Sequence, residues 1–345
     1  MAAPDARMMN PEPMDAMRAA HESPPSGALP RVCAVVPAHN RRDKTLRFCD
    51  NFARLTYPNR SVVVVDDGST DGTAAAIRAA HPDVEVVIGD GTLWWSGGTN
   101  LGVRHALRRG ADYILTINDD CVMEPGFIDE LVRVARRDPR YIVGCRLHCE
   151  DRPHEVWSLG TRVVCRGGEL FALNHAGRRW EDIRGELPDP LPVDTMPGNG
   201  VLLPRAVFER VGFYDERNMP QYHADSDLVL RAREVGFVPV IALRSVLYNH
   251  ILEKPLVDNR RDLLFSRKSD RYWRAIWTTL RRHGPPGRRC YLMLRQYSPF
   301  FLNGRLSSRI KRLVRRLVEP LRKSDSLAIE RGYNPTCAAG PTRHG

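Results

Sequence analysis

Short apolar runs recur between Arg31 and Asp120, and each one closes on polar side chains. Val32–Val36 runs into Pro37, Ala38, His39 and Asn40; Val62–Val65 into Asp66 and Asp67. Val84–Ile88 stops before Asp90, and Tyr113–Ile117 before Asn118, Asp119 and Asp120. Between these runs the period lengthens. Leu46, Cys49, Phe52, Ala53 and Leu55 fall at helical spacing, as do Leu101, Ala106 and Leu107 after GGTNLG. The turn GSTDGT precedes a further helix, with Thr70 or Asp71 as its cap. The alternation predicts an α/β fold with a mostly parallel central sheet flanked by helices. Ligands of such sheets lie beyond the C-terminal strand ends, so the polar closures are expected to share one crevice.

The second half is less regular. YIVGCRL and EVWSLGTRVVCRG read as short strands, and a long loop leads to a strand at Gly200–Leu203 and a helix from Pro204. DSDLVLRAREVG is a helix with Leu228, Val229, Ala232 and Val235 on its apolar stripe and Gly236 at its end. FVPVIALRSVLYNH is apolar and closes on Asn249 and His250. Beyond Lys254 the text turns basic and aromatic. RDLLFSRKSDRYWRAIWTTLRRHG reads as one or two helices, and RIKRLVRRLVEPLRK as a basic amphipathic segment suited to an anionic membrane surface or to packing on the core. The expected organisation is a flexible leader at 1–30, a catalytic domain at 31–253, a basic helical extension at 254–333 and a tail at 334–345. The catalytic domain divides into a nucleotide-binding half, 31–120, and an acceptor-binding half, 121–253.

The formal charge of the 345 residues is +11, with much of the excess late in the chain. Nucleic acid is not the expected partner, because acidic strand ends repel a phosphate backbone. The eight cysteines lack paired CxxC spacing, which points to free thiols in a reducing cytoplasm. No apolar run reaches membrane-span length, so an enzyme acting at a membrane would lie on it. Neither GxGxxG nor GxxxxGK[ST] follows a strand, which sets aside dinucleotide and P-loop sites.

The acids carry the chemistry. Asx side chains at strand ends also cap turns, so each alone is ambiguous. Asp66, Asp67, Asp90, Asp119 and Asp120 at one rim would repel unless a cation sat among them. Mg²⁺ or Mn²⁺ carrying a diphosphate suits oxygen ligands of this kind. His223, Asp225 and Asp227 cluster where a helix begins, which favours ionised carboxylates. One acid there suffices as a cap; an ionised one also suits a general base. Trp94 and Trp95 either pack a loop or form a platform for a sugar ring. Gly98 allows close backbone approach, and Asn100 lies one turn along.

VVPAHNR, VVVVDDGSTDGT, LWWSGGTNLGVRHAL, LTINDD, GNGVLLP, VGFYDE and HADSDLVLRA, in that order, resemble the family 2 glycosyltransferases. The likeness covers about Arg31 to His250; LWWSGGTNLG looks most like bacterial rhamnosyltransferase-like cell-envelope enzymes. It implies a GT-A fold and metal-dependent, inverting transfer from a nucleotide-sugar linked to dTDP, UDP or GDP. Rhamnose from dTDP-rhamnose is the favoured donor, with a cell-envelope glycan or lipid-linked acceptor. On this resemblance Pro37, Ala38, Asn40 and one of Asp66 or Asp67 line the nucleoside pocket. Trp94, Trp95, Gly98, Asn100, Asn118 and Asp119 complete the donor side. Asp120 and His250 hold the metal, Asp225 is the catalytic base, and His223 and Asp227 face the acceptor. Two positions depart from the pattern: Asn118 opens the DxD element, and Ala224 stands where a glutamate is usual. The implied location is cytoplasmic, with peripheral contact at the inner face of the cell membrane. Rival readings are a sugar nucleotidyltransferase and a non-catalytic carbohydrate- or nucleic-acid-binding protein.

Overall fold

The computed structural model describes residues 28–166, 169–250 and 260–302. Most of the expected leader, the basic segment Ile310–Val318 and the tail lie outside the described residues. The first half alternates as the periodicity predicts. Strand β1 (Val32–Ala38) leads to helix α1 (Arg42–Ala53), β2 (Arg60–Asp66) to α2 (Thr73–Ala80), and β3 (Glu85–Ile88) to α3 (Trp94–Arg108). β4 (Tyr113–Thr116) and the short β5 (Cys121–Met123) follow, then α4 (Phe127–Ala135).

The irregular middle contains β6 (Tyr141–Cys149), β7 (Val156–Ser158), the hairpin β8 (Thr161–Arg166) and β9 (Glu169–Leu173), a short α5 (Trp180–Ile183) and β10 (Leu191–Pro192). β11 (Val201–Pro204) runs into α6 (Arg205–Val211); α7 (Ala224–Glu234) precedes β12 (Val238–Asn249). The C-terminal helices are α8 (Arg260–Phe265), α9 (Trp273–His283) and α10 (Arg289–Leu302). None of the described helices is long and apolar enough to cross a membrane.

The main sheet runs β10-β12-β6-β11-β4-β1-β2-β3. β1 pairs in parallel with both β2 and β4, and β2 with β3. β11 is reversed, antiparallel to β4 and β6, while β12 returns parallel to β6 and the two-residue β10 at the edge is antiparallel to β12. The sheet is therefore mostly parallel with helices on both faces, a GT-A-like arrangement.

Alternation along β1 shows why its strands read as unbroken apolar text. Val32, Ala34 and Val36 enter one core with Phe48 and Phe52 of α1 and Leu131 of α4. Cys33 and Val35 enter the other with Val103 and Ala106 of α3. On that second face α3 lies very close to the sheet. An added methyl at Gly102 would stand 2.4 Å from Val35, and one at Gly98 would stand 3.1 Å from Pro37. A third, smaller core joins Leu170 of β9 to Ile276, Leu280 and Leu292 of the C-terminal helices.

α3 begins earlier than its hydrophobic period suggests. Trp94 and Trp95 sit in its first turn, not in a loop. α2 begins at Thr73, and Gly72 occupies its cap position in the left-handed region. Asp71 still serves that end, because its carboxylate accepts from the Thr73 N–H at 3.0 Å.

Candidate active site

The chain runs outward from β1 to β2 to β3, then returns to place β4 on the other side of β1. The crevice at such a reversal is where open α/β sheets hold ligands. Here it is flanked by Arg41, just after β1, and by Asn118, Asp119 and Asp120, just after β4. Arg41 crosses it. Its Nε lies 2.8 Å from Oδ1 of Asp119, and its Nη2 lies 2.7 Å from Oδ2 of Asp120. Thr45 of α1 donates its hydroxyl to Asp119 at 2.9 Å. Burial pushes the Asp119 carboxyl up from its ordinary value, and the Arg41 charge and the Thr45 bond oppose it.

The acids after β2 separate by geometry. Asp67 is 6% exposed and accepts three backbone N–H groups: Gly91 at 2.8 Å, Leu93 at 2.9 Å and Trp94 at 3.2 Å. It therefore fixes the N-terminus of α3. Asp66 accepts the Ser69 N–H at 3.0 Å. His39 and Asn40 fasten the loop after β1 to the loop after β2. His39 Nδ1 meets the Asp67 carbonyl at 2.6 Å, and Asn40 Oδ1 accepts the Thr70 N–H at 2.8 Å. Asn40 adopts a φ of 51°, a left-handed conformation that asparagine tolerates better than most residues. Asp90 is turned to its own loop, where it accepts from Thr92 at 2.8 Å.

The two halves of the chain meet through Trp95. Its Nε1 donates to Asn118 Oδ1 at 3.0 Å, and its ring stands edge-on to Tyr214 with centroids 5.3 Å apart. Asparagine at 118 accepts that indole hydrogen through its amide oxygen, as the aspartate of the DxD pattern also could. Gly198 is wedged between Trp95 and Asp225. A methyl there would come within 2.8 Å of both Cη2 of Trp95 and Cβ of Asp225. The Gly198 N–H donates to Asp225 Oδ2 at 2.8 Å, and the Ser226 N–H donates to Oδ1 at 2.8 Å. The Asp225 carboxylate is thus held at the N-terminus of α7 by two backbone donors. Asn199 closes the arrangement: its Oδ1 accepts from the Asn118 N–H at 2.9 Å, and its Nδ2 reaches Asn249 at 3.3 Å.

Replacing Gly198 with alanine is expected to push Asp225 and Trp95 apart. Transfer should fall about 10²-fold, since a 1 Å misplacement of reacting groups can cost that much. Steady-state turnover and a melting curve check this; the effect should appear in turnover before it appears in melting.

Other residues singled out from sequence take different places. Asn100 is 1% exposed; it donates to the Tyr214 carbonyl at 2.9 Å and to Glu216 at 2.6 Å, so it ties α3 to the loop before α7. Gly98 faces Pro37 beneath α3. His223 sits at the cap of α7 with a φ of 71°, its Nε2 2.8 Å from the Asp270 carbonyl and its ring stacked on Phe171. Asp227, expected on the acceptor side, is fully buried. It accepts from Arg231 of α7 at 2.8 Å, and from Arg282 and His283 of α9 at 2.9 Å each. It reaches no open surface, so its place is inside the fold. Ala224 is 1% exposed and packs into the second core, which leaves no room there for a glutamate.

Asp120 and His250 line one small cleft of about 90 Å³ with Lys44, Arg47, Asp119 and Cys121. The His250 N–H donates to the Asp120 carbonyl at 3.2 Å, and its ring lies 3.7 Å from Glu150. Oδ1 of Asp120 is buried and has no hydrogen-bond partner. Among the described residues, no three His, Cys, Asp or Glu side chains come together to enclose a metal. A magnesium-like ion needs no such cage, because it is commonly held by one or two carboxylates with phosphate and water completing the shell. The donor set fits an ion shared with a ligand.

Sequence reasoning assigned no role to Arg41, Gly198, Asn199 or Asn249. The GNG turn was the available signal for the second and third; Arg41 and Asn249 each stand at the polar close of an apolar run, and nothing local sets them apart from their neighbours.

The model of glycosyl transferase family 2 matches residues 33–210. The N-acetylglucosaminyl-diphospho-decaprenol L-rhamnosyltransferase of Mycobacterium tuberculosis is 28% identical over 281 residues, covering 72% of this chain and 88% of that protein. The O-antigen biosynthesis protein RfbC of Myxococcus xanthus is 27% identical over 239 residues, covering 66% of this chain but only 18% of that protein. Among solved structures, GalNAc-T7 with UDP, GalNAc and Mn²⁺ superposes with a TM-score of 0.57 at 12% identity, over 89% of this chain and 59% of that one. S. aureus TarS 1-349 does so with a TM-score of 0.51 at 11% identity, over 86% and 79%. These two likenesses bear on the fold.

Proposed function

The chain belongs to glycosyl transferase family 2, and on that premise we propose that it moves a sugar, with inversion, from a nucleotide-sugar to an acceptor hydroxyl. The observation that carries this reading is the contact chain Asn118–Trp95–Gly198–Asp225, which sets the Asp225 carboxylate across the crevice from the acids after β4. Inversion asks for that layout. The leaving diphosphate and the attacking hydroxyl lie on opposite sides of the anomeric carbon, so the base must stand away from the phosphate site.

Asp225 takes the acceptor proton as the new bond forms. Its two backbone donors fix the carboxylate's direction before substrate arrives, and positioning of this kind supplies much of the rate. Trp95 lies between the two acidic ends, where its indole offers an apolar face for a sugar ring. Pro37, Ala38, Asn40 and Asp66 lie at the ends of β1 and β2 and on this reading serve the nucleoside, with Asp119 assigned to the ribose or phosphate. Mg²⁺ or Mn²⁺, held by Asp120 Oδ1 and His250, would supply charge neutralisation to the departing diphosphate when bound.

Rhamnose from dTDP-rhamnose is the favoured donor, and a lipid-linked or cell-envelope glycan the favoured acceptor. The similarity to the mycobacterial rhamnosyltransferase supports both. Such an acceptor implies work at the inner face of a membrane without crossing it. A screen of dTDP-, UDP- and GDP-sugars for slow donor hydrolysis, with and without Mg²⁺ or Mn²⁺, tests this. Release of dTDP from dTDP-rhamnose is expected. Release of pyrophosphate would instead mark a nucleotidyltransferase, and indifference to every donor would end the reading.

A further inference from the structure

Arg41 stands at the one point where three observations coincide. Its guanidinium bridges the two carboxylates after β4, with Nε 2.8 Å from Asp119 and Nη2 2.7 Å from Asp120. It leaves a single carboxylate oxygen of that pair, Asp120 Oδ1, buried and without a hydrogen-bond partner. It is anchored at the cap of α1, whose Thr45 binds both the Arg41 carbonyl and Asp119, so the side chain is held where it is. A fork of this geometry matches two carboxylates far better than an ammonium would.

We propose that Arg41 is a positioning residue that serves as the resident counter-cation of the donor site. In the free protein it neutralises Asp119 and Asp120 and leaves a divalent ion only Oδ1 of Asp120 and the His250 ring in the same cleft. One carboxylate oxygen and one imidazole are a poor site for such an ion, which needs further oxygens around it. A divalent ion would therefore be captured together with a diphosphate supplying the missing oxygens, with the Arg41 guanidinium standing beside that place. Arg41 couples cation binding to donor binding and keeps the acids from collecting metal alone. The inference rests on the donor-site reading for the identity of the incoming diphosphate.

The test is Mn²⁺ binding to the full chain, read by electron paramagnetic resonance without nucleotide or sugar. The parent should bind Mn²⁺ weakly. Arg41→Gln removes the charge and frees Asp119 and the second oxygen of Asp120, so affinity should rise about ten-fold, the scale of losing two part-exposed ion pairs. Arg41→Met, which keeps the aliphatic stem, should behave alike if the glutamine variant folds poorly. Adding Asp120→Asn should abolish the gain. Equal or weaker Mn²⁺ binding in both Arg41 variants overturns the proposal, as does a gain that survives Asp120→Asn. No sugar enters the measurement, so these outcomes are independent of whether any activated sugar is a substrate.

Discussion

Asp225→Asn is expected to cut sugar transfer by about 10²–10⁴-fold, the usual contribution of a positioned general base. Asparagine keeps the size of the side chain and one acceptor for the Gly198 and Ser226 N–H groups. It cannot take a proton from the acceptor. The loss should therefore fall on kcat with donor affinity preserved, because the proposed function gives Asp225 to the acceptor and not to the donor's phosphates. Donor binding by calorimetry beside steady-state turnover separates the two. A variant that turns over within a factor of a few of the parent would remove Asp225 from the mechanism. So would a variant that loses donor binding in step with turnover.

The second large effect concerns stability. Asp227→Asn should destabilise the fold by about 3–5 kcal/mol, the cost of breaking a buried charge cluster by removing one partner. The carboxylate is fully buried, and Arg231, Arg282 and His283 all point at it. Asparagine leaves the Arg231 and Arg282 cations facing a neutral amide. The pH dependence carries the same signature. Burial alone would raise the Asp227 carboxyl, but the His283 bond and the charges of Arg231 and Arg282 outweigh it and hold it down at about 2. An unfolded aspartate titrates near 3.8, so the folded group binds its proton less readily. Its stabilisation is complete above that value and is lost as pH falls through the folded one. The parent should lose about 2 kcal/mol between roughly pH 4 and pH 2 from this group. Asp227→Asn should lack that component. Denaturant titrations across this range, on both proteins, measure it.

The strands were legible because both faces of the sheet are covered, which makes β1, β2 and β4 unbroken apolar text ending in polar side chains. Their convergence followed from the architecture. The start of α3 was not legible. Trp94 and Trp95 look like loop residues until Asp67, 27 positions upstream of Trp94, is seen to anchor that turn. The Arg41–Asp120 pair spans 79 residues, Asn118–Asn199 spans 81 and Asp227–His283 spans 56. No local period reports contacts at that range. Asp227 misled for the same reason: beside Asp225 it read as a second acid at the site, while the cations that hold it inward come largely from α9.

Asp67 also determines how the crevice meets an anion. The free N–H groups at a helix start commonly cradle phosphate. At α3 those of Leu93 and Trp94 already point at a carboxylate belonging to the chain itself. The positive pole of that helix is cancelled from within, so an incoming diphosphate must find its compensation on the α1 side of the crevice. The sheet thus presents a lopsided field at this crevice, dull beside the tryptophans and polarised beside β4, and on the proposed function the donor's phosphates belong at the polarised end.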